Sequence, residues 1–325
     1  MIAAAVAVAA AAGLAVGQGA PAAPVETGLT APGPQGVLAG TMLQPAGARH
    51  APIVLMIPGS GPTDRDGNNP MGAKAASLKL LAEGLAAHGV ASVRIDKRGM
   101  FGSKAAVSDA NKVTIGDYAT DVHNWVDAVR TRTGAPCVWV LGHSEGGLVA
   151  LAAAQQPRGI CGLVLVATAG RPMGEVVRAQ LAANPANAPI LDQANAAIAA
   201  LEAGRTVDTS AMHPALAPLF NPAVQAYEID LFGHDPAMLI AAYSGPVLIV
   251  QGTRDIQISV GDAKALAAAQ PHATLALIEG MNHVLKPVTS DDRAANLATY
   301  ADPELPLAPG VVDRIADFVA KRPAK

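Results

Sequence analysis

Apolar and polar positions alternate along this chain in two rhythms. Pro52–Ile57, Ala91–Ile95, Cys161–Val166, Pro246–Val250, Thr274–Ile278 and the run opening at Val138 are short, almost unbroken apolar stretches. Runs of this kind suit strands buried on both faces of a parallel sheet. Between them the apolar spacing widens to that of a helix. Leucines at 78, 81 and 85 mark a helix within Lys74–His88, with Gly89 as its terminator. Thr114 and Asp117 stand as N-cap and N3 of a second helix, whose apolar face is Ile115, Tyr118, Val122, Trp125, Val126 and Val129. Further helices are predicted after Ser144 to about Gln156, from Gly261 to about Gln270, and over Val311–Lys321. Val37–Leu43 reads as an early strand. Strand–helix alternation on this scale predicts an α/β fold with a mostly parallel, doubly wound sheet and right-handed crossovers.

Two regions depart from the rhythm. Residues 23–36 are rich in Pro, Gly and Ala and read as a flexible lead-in. Between about Arg171 and Ala242 the strands disappear, and helical pieces are expected near Glu175–Ala183 and Asp192–Ala203. The core is therefore expected over 37–170 and 243–325, with 171–242 inserted as a helical lid. Phe220, Tyr227, Phe232 and Tyr243 cluster late in that block. Lining an apolar acyl pocket and ordinary lid-to-sheet packing are the two readings open to them.

The Val138 run leads directly into Gly142-His-Ser-Glu-Gly146. The flanking glycines permit a close strand-to-helix approach, and Ser144 is left at the apex of a sharp turn. Glu145 then opens a helix, where partial positive charge gathers. His143 adjoins the serine and reads as structural, its side chain expected to point elsewhere. Ligands of open α/β sheets bind beyond the carboxyl ends of the strands, so partners of Ser144 must follow strands. Asp255, after Val-Leu-Ile-Val-Gln-Gly-Thr-Arg, and His283, after Leu-Ala-Leu-Ile-Glu-Gly-Met-Asn, meet that condition. His272 and His50 precede strands, and His88 and His123 lie on helices; His213 and His234 fall in the lid, in weaker context. The order Ser144, Asp255, His283 is that of a serine nucleophile, its orienting acid and its base in an α/β-hydrolase. Backbone N–H groups of Ser60 and Glu145 are the candidate oxyanion donors.

Composition narrows the function further. Hydrophobic residues make up 51% and charged residues 15% of 325, with a net charge of −3. No basic footprint for nucleic acid is present. H-E-x-x-H spacing is absent, and Gly59-Ser-Gly-Pro-Thr-Asp64 lacks the third glycine of a dinucleotide fingerprint, so neither a metal nor another cofactor is expected. The apolar run Ile2–Val16 is shorter than the roughly 20 residues of a spanning helix. With small residues following it, the run predicts a signal peptide over 1–22 and an exported protein, periplasmic or secreted, with no integral membrane span in the mature chain. No Lys or Arg precedes the run. An uncleaved anchor, or a cytoplasmic protein if the run is no signal, are the alternatives. Cys137 and Cys161 each open a strand; a disulfide worth about 3 kcal/mol and two buried free thiols both remain open.

Leu-Ala-Gly-Thr, Pro-Gly-Ser-Gly-Pro-Thr-Asp-Arg-Asp-Gly, Asp-Lys-Arg-Gly, Gly-His-Ser-Glu-Gly-Gly and Gly-Met-Asn-His together resemble a group of bacterial α/β-hydrolase serine esterases. The likeness runs from about Val37 to the end and is weakest in the lid. It implies an eight-stranded, mostly parallel sheet, a helical cap and carboxylesterase activity on small acyl esters. The triad would be Ser144, Asp255 and His283, with Ser60 and Glu145 donating to the oxyanion. Asp64, Arg65 and Asp66 would brace the first active-site loop, a solvated turn being the alternative. A peptidase or amidase using the same groups, and a non-catalytic binder on a retained hydrolase fold, are the competing functions. Oligomeric state is not read from the sequence.

Overall fold

The computed structural model describes residues 23–48 and 50–321. The expected signal peptide lies outside them. One eight-stranded sheet organises the chain: β1 (Val25–Pro32), β2 (Val37–Gln44), β3 (Ile53–Ile57), β4 (Ala91–Ile95), β5 (Val138–His143), β6 (Ile160–Val166), β7 (Val247–Gly252) and β8 (Thr274–Ile278), in spatial order 1-2-4-3-5-6-7-8. β2 runs antiparallel to both β1 and β4, and every pairing from β4 to β8 is parallel. The crossovers carry α1 (Ser77–Ala87), α2 (Ile115–Thr133), α3 (Glu145–Ala153), a four-helix stretch described below, and α8 (Val260–Ala269). Alternation along each strand feeds two cores. Ile53, Leu55 and Ile57 of β3 face the layer built on α2 and α3, whereas Val54 and Met56 face α1 and the C-terminal helix α10 (Val311–Ala320). The α2 stripe is buried as its spacing predicts, and Thr114 and Asp117 close a capping box at its start.

The sheet departs from expectation at its first edge. Residues 25–32 are not a flexible lead-in: they pair along their whole length with β2. Most of β1 is solvent-exposed, with Ala31 its one fully buried residue. An edge strand held by backbone pairing needs no apolar alternation, so the hydrophobic pattern carried no sign of it. Past β6, α4 (Met173–Ala182), α5 (Leu191–Glu202), α6 (Gln225–Phe232) and α7 (Pro236–Ala242) replace a single crossover helix. The last two were not legible, because each is short and its apolar face is irregular. Phe220, Phe232 and Tyr243 are buried in the main core, and Tyr227 packs against it. They do the ordinary packing. A short helix α9 (Arg293–Ala298) lies between β8 and α10.

Cys137 and Cys161 are bonded to each other, tying the starts of β5 and β6 together. This decides between the two readings of these thiols. Among the described residues, no helix is long and apolar enough to cross a membrane.

Candidate active site

Ser144 sits between β5 and α3 with φ 55° and ψ −122°, a conformation unfavourable for any residue with a Cβ. Close packing holds it there. A Cβ on Gly142 would meet the Gly146 carbonyl oxygen at 2.1 Å, and one on Gly146 would meet the Ile57 oxygen at 2.4 Å. Only glycine permits this approach, which is why the two flanking positions carry it. Gly59, in the loop after β3, packs so near that an added Cβ would lie 3.2 Å from Ser144 Cβ. Neither the Ser60 N–H nor the Glu145 N–H donates to another protein group among the described residues.

Asp255 follows β7 and His283 follows β8, and the two meet: His283 Nδ1–H donates to Asp255 Oδ2 at 2.9 Å. The other Asp255 oxygen accepts the N–H groups of Gln257 (2.8 Å) and Ile258 (3.0 Å). Burial pushes this carboxyl upward. The neighbouring His283 charge and the hydrogen bonds from His283, Ile258 and Gln257 outweigh it and hold the group below the usual carboxylate range. Asp255 therefore stays ionised. With Nδ1 carrying the proton, Nε2 of a neutral His283 has its lone pair available. No hydrogen bond links Ser144 Oγ to that nitrogen among the described residues. Serine–imidazole bonds are often long before substrate binds and tighten in the complex.

His143 corrects an expectation. Its ring does not turn away: Nε2–H donates to the His283 carbonyl at 2.8 Å, and the two ring centroids are 5.0 Å apart. The residue preceding Ser144 is thereby tied to His283. Burial and the charge of His283 press the His143 pKa down to about 4, so it is a neutral donor at ordinary pH. Gln251, fully buried on β7, was also missed; its Nε2 donates to Asp255 Oδ2 at 3.1 Å and to the Ile258 carbonyl at 3.0 Å. A polar residue closing the apolar run Val-Leu-Ile-Val was the available signal.

The Asp64-Arg-Asp66 segment braces the first loop against β4. Arg65 donates its backbone N–H to Asp96 Oδ1 at 2.9 Å, and its guanidinium to Asp96 Oδ2 and to Thr41 Oγ1 at 2.8 Å. Asp66 pairs with Arg94, and Asp64 accepts the Asp66 and Asn68 N–H groups. One residue further, Lys97 donates to the Gly59 carbonyl at 2.7 Å and to Glu145 Oε1 at 3.1 Å. Tyr227 reaches this cluster from α6. Burial, then the charge of Glu145, raises its hydroxyl well above the ordinary tyrosine range.

Residues 71–286, about two-thirds of the chain, match the family described as serine aminopeptidase, S33. Ser144, Asp255 and His283 fall inside that span. Esterase EstD of Thermotoga maritima is 27% identical over 255 residues, covering 76% of this chain; the chain spans 58% of that relative's length. Among solved structures, Est1E from Butyrivibrio proteoclasticus superposes with a TM-score of 0.55 at 17% identity, covering 90% of this chain and 99% of its own. The esterase Pf2001 of Pyrococcus furiosus gives 0.59 at 15% identity, covering 93% of this chain and 92% of its own. These two likenesses concern the fold.

Proposed function

This chain belongs to the serine aminopeptidase S33 family and has the α/β-hydrolase fold, and from that premise we propose that it cleaves small carboxylic esters through an acyl-enzyme intermediate. The observation that carries the reading is the convergence of the Asp255–His283 pair on the turn of Ser144 by way of His143. In the first step His283 Nε2 takes the Ser144 proton as Oγ bonds to the ester carbonyl carbon. The carbonyl π pair moves onto oxygen, where the Ser60 and Glu145 N–H groups receive it. Each such donor is worth about 3 kcal/mol of barrier. The intermediate then collapses, breaking the bond to the alcohol oxygen, which leaves with the proton from His283. Water repeats the sequence on the acyl-enzyme and releases the acid. Asp255 stabilises the imidazolium that appears in each half.

Residues 171–242 act in this reading as a cap over the strand ends. The disulfide supports an exported protein, since such bonds persist in oxidising compartments. A second reading, aminopeptidase action by the same groups, is favoured by the family description. A fluorophosphonate probe tests the shared chemistry. The unmodified chain should be labelled at Ser144, and Ser144→Ala should lose labelling and lower turnover of a short-chain aryl ester by about 10⁴-fold or more. Undiminished turnover by that variant refutes the assignment. Ester substrates should outpace aminoacyl arylamides, and the reverse order selects the peptidase.

A further inference from the structure

Lys97, two residues past the end of β4, is 4% exposed, and its ammonium has two hydrogen-bond acceptors. It donates to the Gly59 carbonyl at 2.7 Å and to Glu145 Oε1 at 3.1 Å, and it lies 5.2 Å from the centroid of the Tyr118 ring. The two acceptors have a common feature. The Gly59 carbonyl and the Ser60 N–H are opposite ends of one peptide plane. In a trans peptide the two point in opposite directions, so gripping the oxygen aims the N–H. A cation on that oxygen also polarises the peptide and strengthens its N–H as a donor. Glu145, the second acceptor, carries the other candidate oxyanion N–H on its own backbone.

A buried ion pair is by itself weak evidence of a stabilising role. Burying two charges costs desolvation that their attraction only offsets, and apolar replacements of such pairs are often neutral or stabilising. We propose that Lys97 is a positioning residue for hydrolysis: one ammonium fixes the orientation and spacing of the Ser60 and Glu145 N–H groups. The inference rests on the ester-hydrolase reading above, and deepens it. It differs from a structural role in what it protects. Oxyanion donors act on the tetrahedral state and barely on the bound ester, so kcat should fall while KM stays.

The test compares the unmodified chain with Lys97→Met and with Lys97→Met/Glu145→Gln, which leaves no lone buried charge. Folding is followed by circular dichroism and thermal melting. The kcat and KM for 4-nitrophenyl acetate are then measured with the inhibition constant of phenylboronic acid, which forms a tetrahedral adduct on a nucleophilic serine. The expected result is a kcat about 100-fold lower in the double variant, KM within about threefold, and boronate affinity reduced in parallel with kcat. Lys97→Met should match it if it folds; should it not, the double variant decides. The inference is overturned by a folded double variant with kcat within about threefold of the unmodified chain, by a loss confined to KM, or by lower kcat at unchanged boronate affinity. A double variant that does not fold overturns it too, since the pair would then be a requirement of the core. If the unmodified chain neither hydrolyses the ester nor binds the boronate, the underlying reading fails and this one with it. That failure is distinct because it precedes any substitution.

Discussion

At Asp255 four donors meet one carboxylate: His283 Nδ1–H and Gln251 Nε2–H on Oδ2, and the Gln257 and Ile258 N–H groups on Oδ1. A carboxylate this well satisfied has one orientation, and so does the imidazole it holds. Gln251→Leu removes one donor without touching the reacting groups. The variant should fold and lose about tenfold in kcat with KM little changed, because the imidazole is less well aimed. Equal loss in KM would mean that Gln251 shapes the pocket instead. His143 gives a pH prediction. Its pKa is pressed from 6.5 to about 4 on folding, so the unfolded chain binds the extra proton between those values and stability rises with pH across that window. Above it His143 remains a neutral donor to the His283 carbonyl. Urea melts between pH 4 and 7 should therefore show a shallower dependence of stability on pH in His143→Gln than in the unmodified chain. Equal slopes in the two chains would refute the argument.

Among the elements, α2 and α6 show opposite degrees of legibility. The Thr114–Asp117 box and the apolar stripe define α2 locally, since capping and amphipathicity are properties of nearby residues. The eight residues of α6 are too few to display a period. That helix also holds an unusual group. Glu228 is half-buried, its Oε2 has no hydrogen-bond partner, and burial raises its pKa to about 7. The folded chain thus holds this proton where the unfolded chain has lost it, and stability falls as pH rises from 4.5 towards 7. Glu228→Gln should remove that loss. Its gain at pH 8 should be on the order of 1 kcal/mol after allowing for solvent screening, and should vanish near pH 4. Urea melts at the two pH values measure it. Equal stability of the two chains at pH 8 would refute the argument.

Over the whole molecule, the disulfide and the proposed nucleophile stand at opposite ends of β5. The Cys137–Cys161 bridge clips the starts of β5 and β6, whereas Ser144 lies beyond the far end of β5. Six strand residues lie between them, roughly 20 Å. Replacing both cysteines by serine should lower stability by about 3 kcal/mol through the loop-entropy term, with kcat and KM for a short ester unchanged below the melting range. Altered kinetics in the folded variant would show that the bridge is felt at the opposite edge. Residues 171–242 bond to the rest of the chain through Asp230, which accepts the Ile115 N–H at 2.7 Å, and Gln180, which donates to the Gln257 carbonyl at 2.9 Å.

The sequence by itself determined the parallel core, the strained serine turn, and which histidine and aspartate follow strands. Each of these is written in the chemistry of neighbouring residues: unbroken apolar runs, glycines beside a serine, a polar residue just past a strand. Tertiary structure alone decided the rest. β1 is a strand because β2 supplies its hydrogen bonds. His143 turns inward because the His283 carbonyl is there to accept its proton. Lys97 reaches Gly59 and Glu145 because β3, β4 and β5 lie side by side. Those outcomes depend on partners tens of residues away, and local pattern carries no information about what a distant segment will bring.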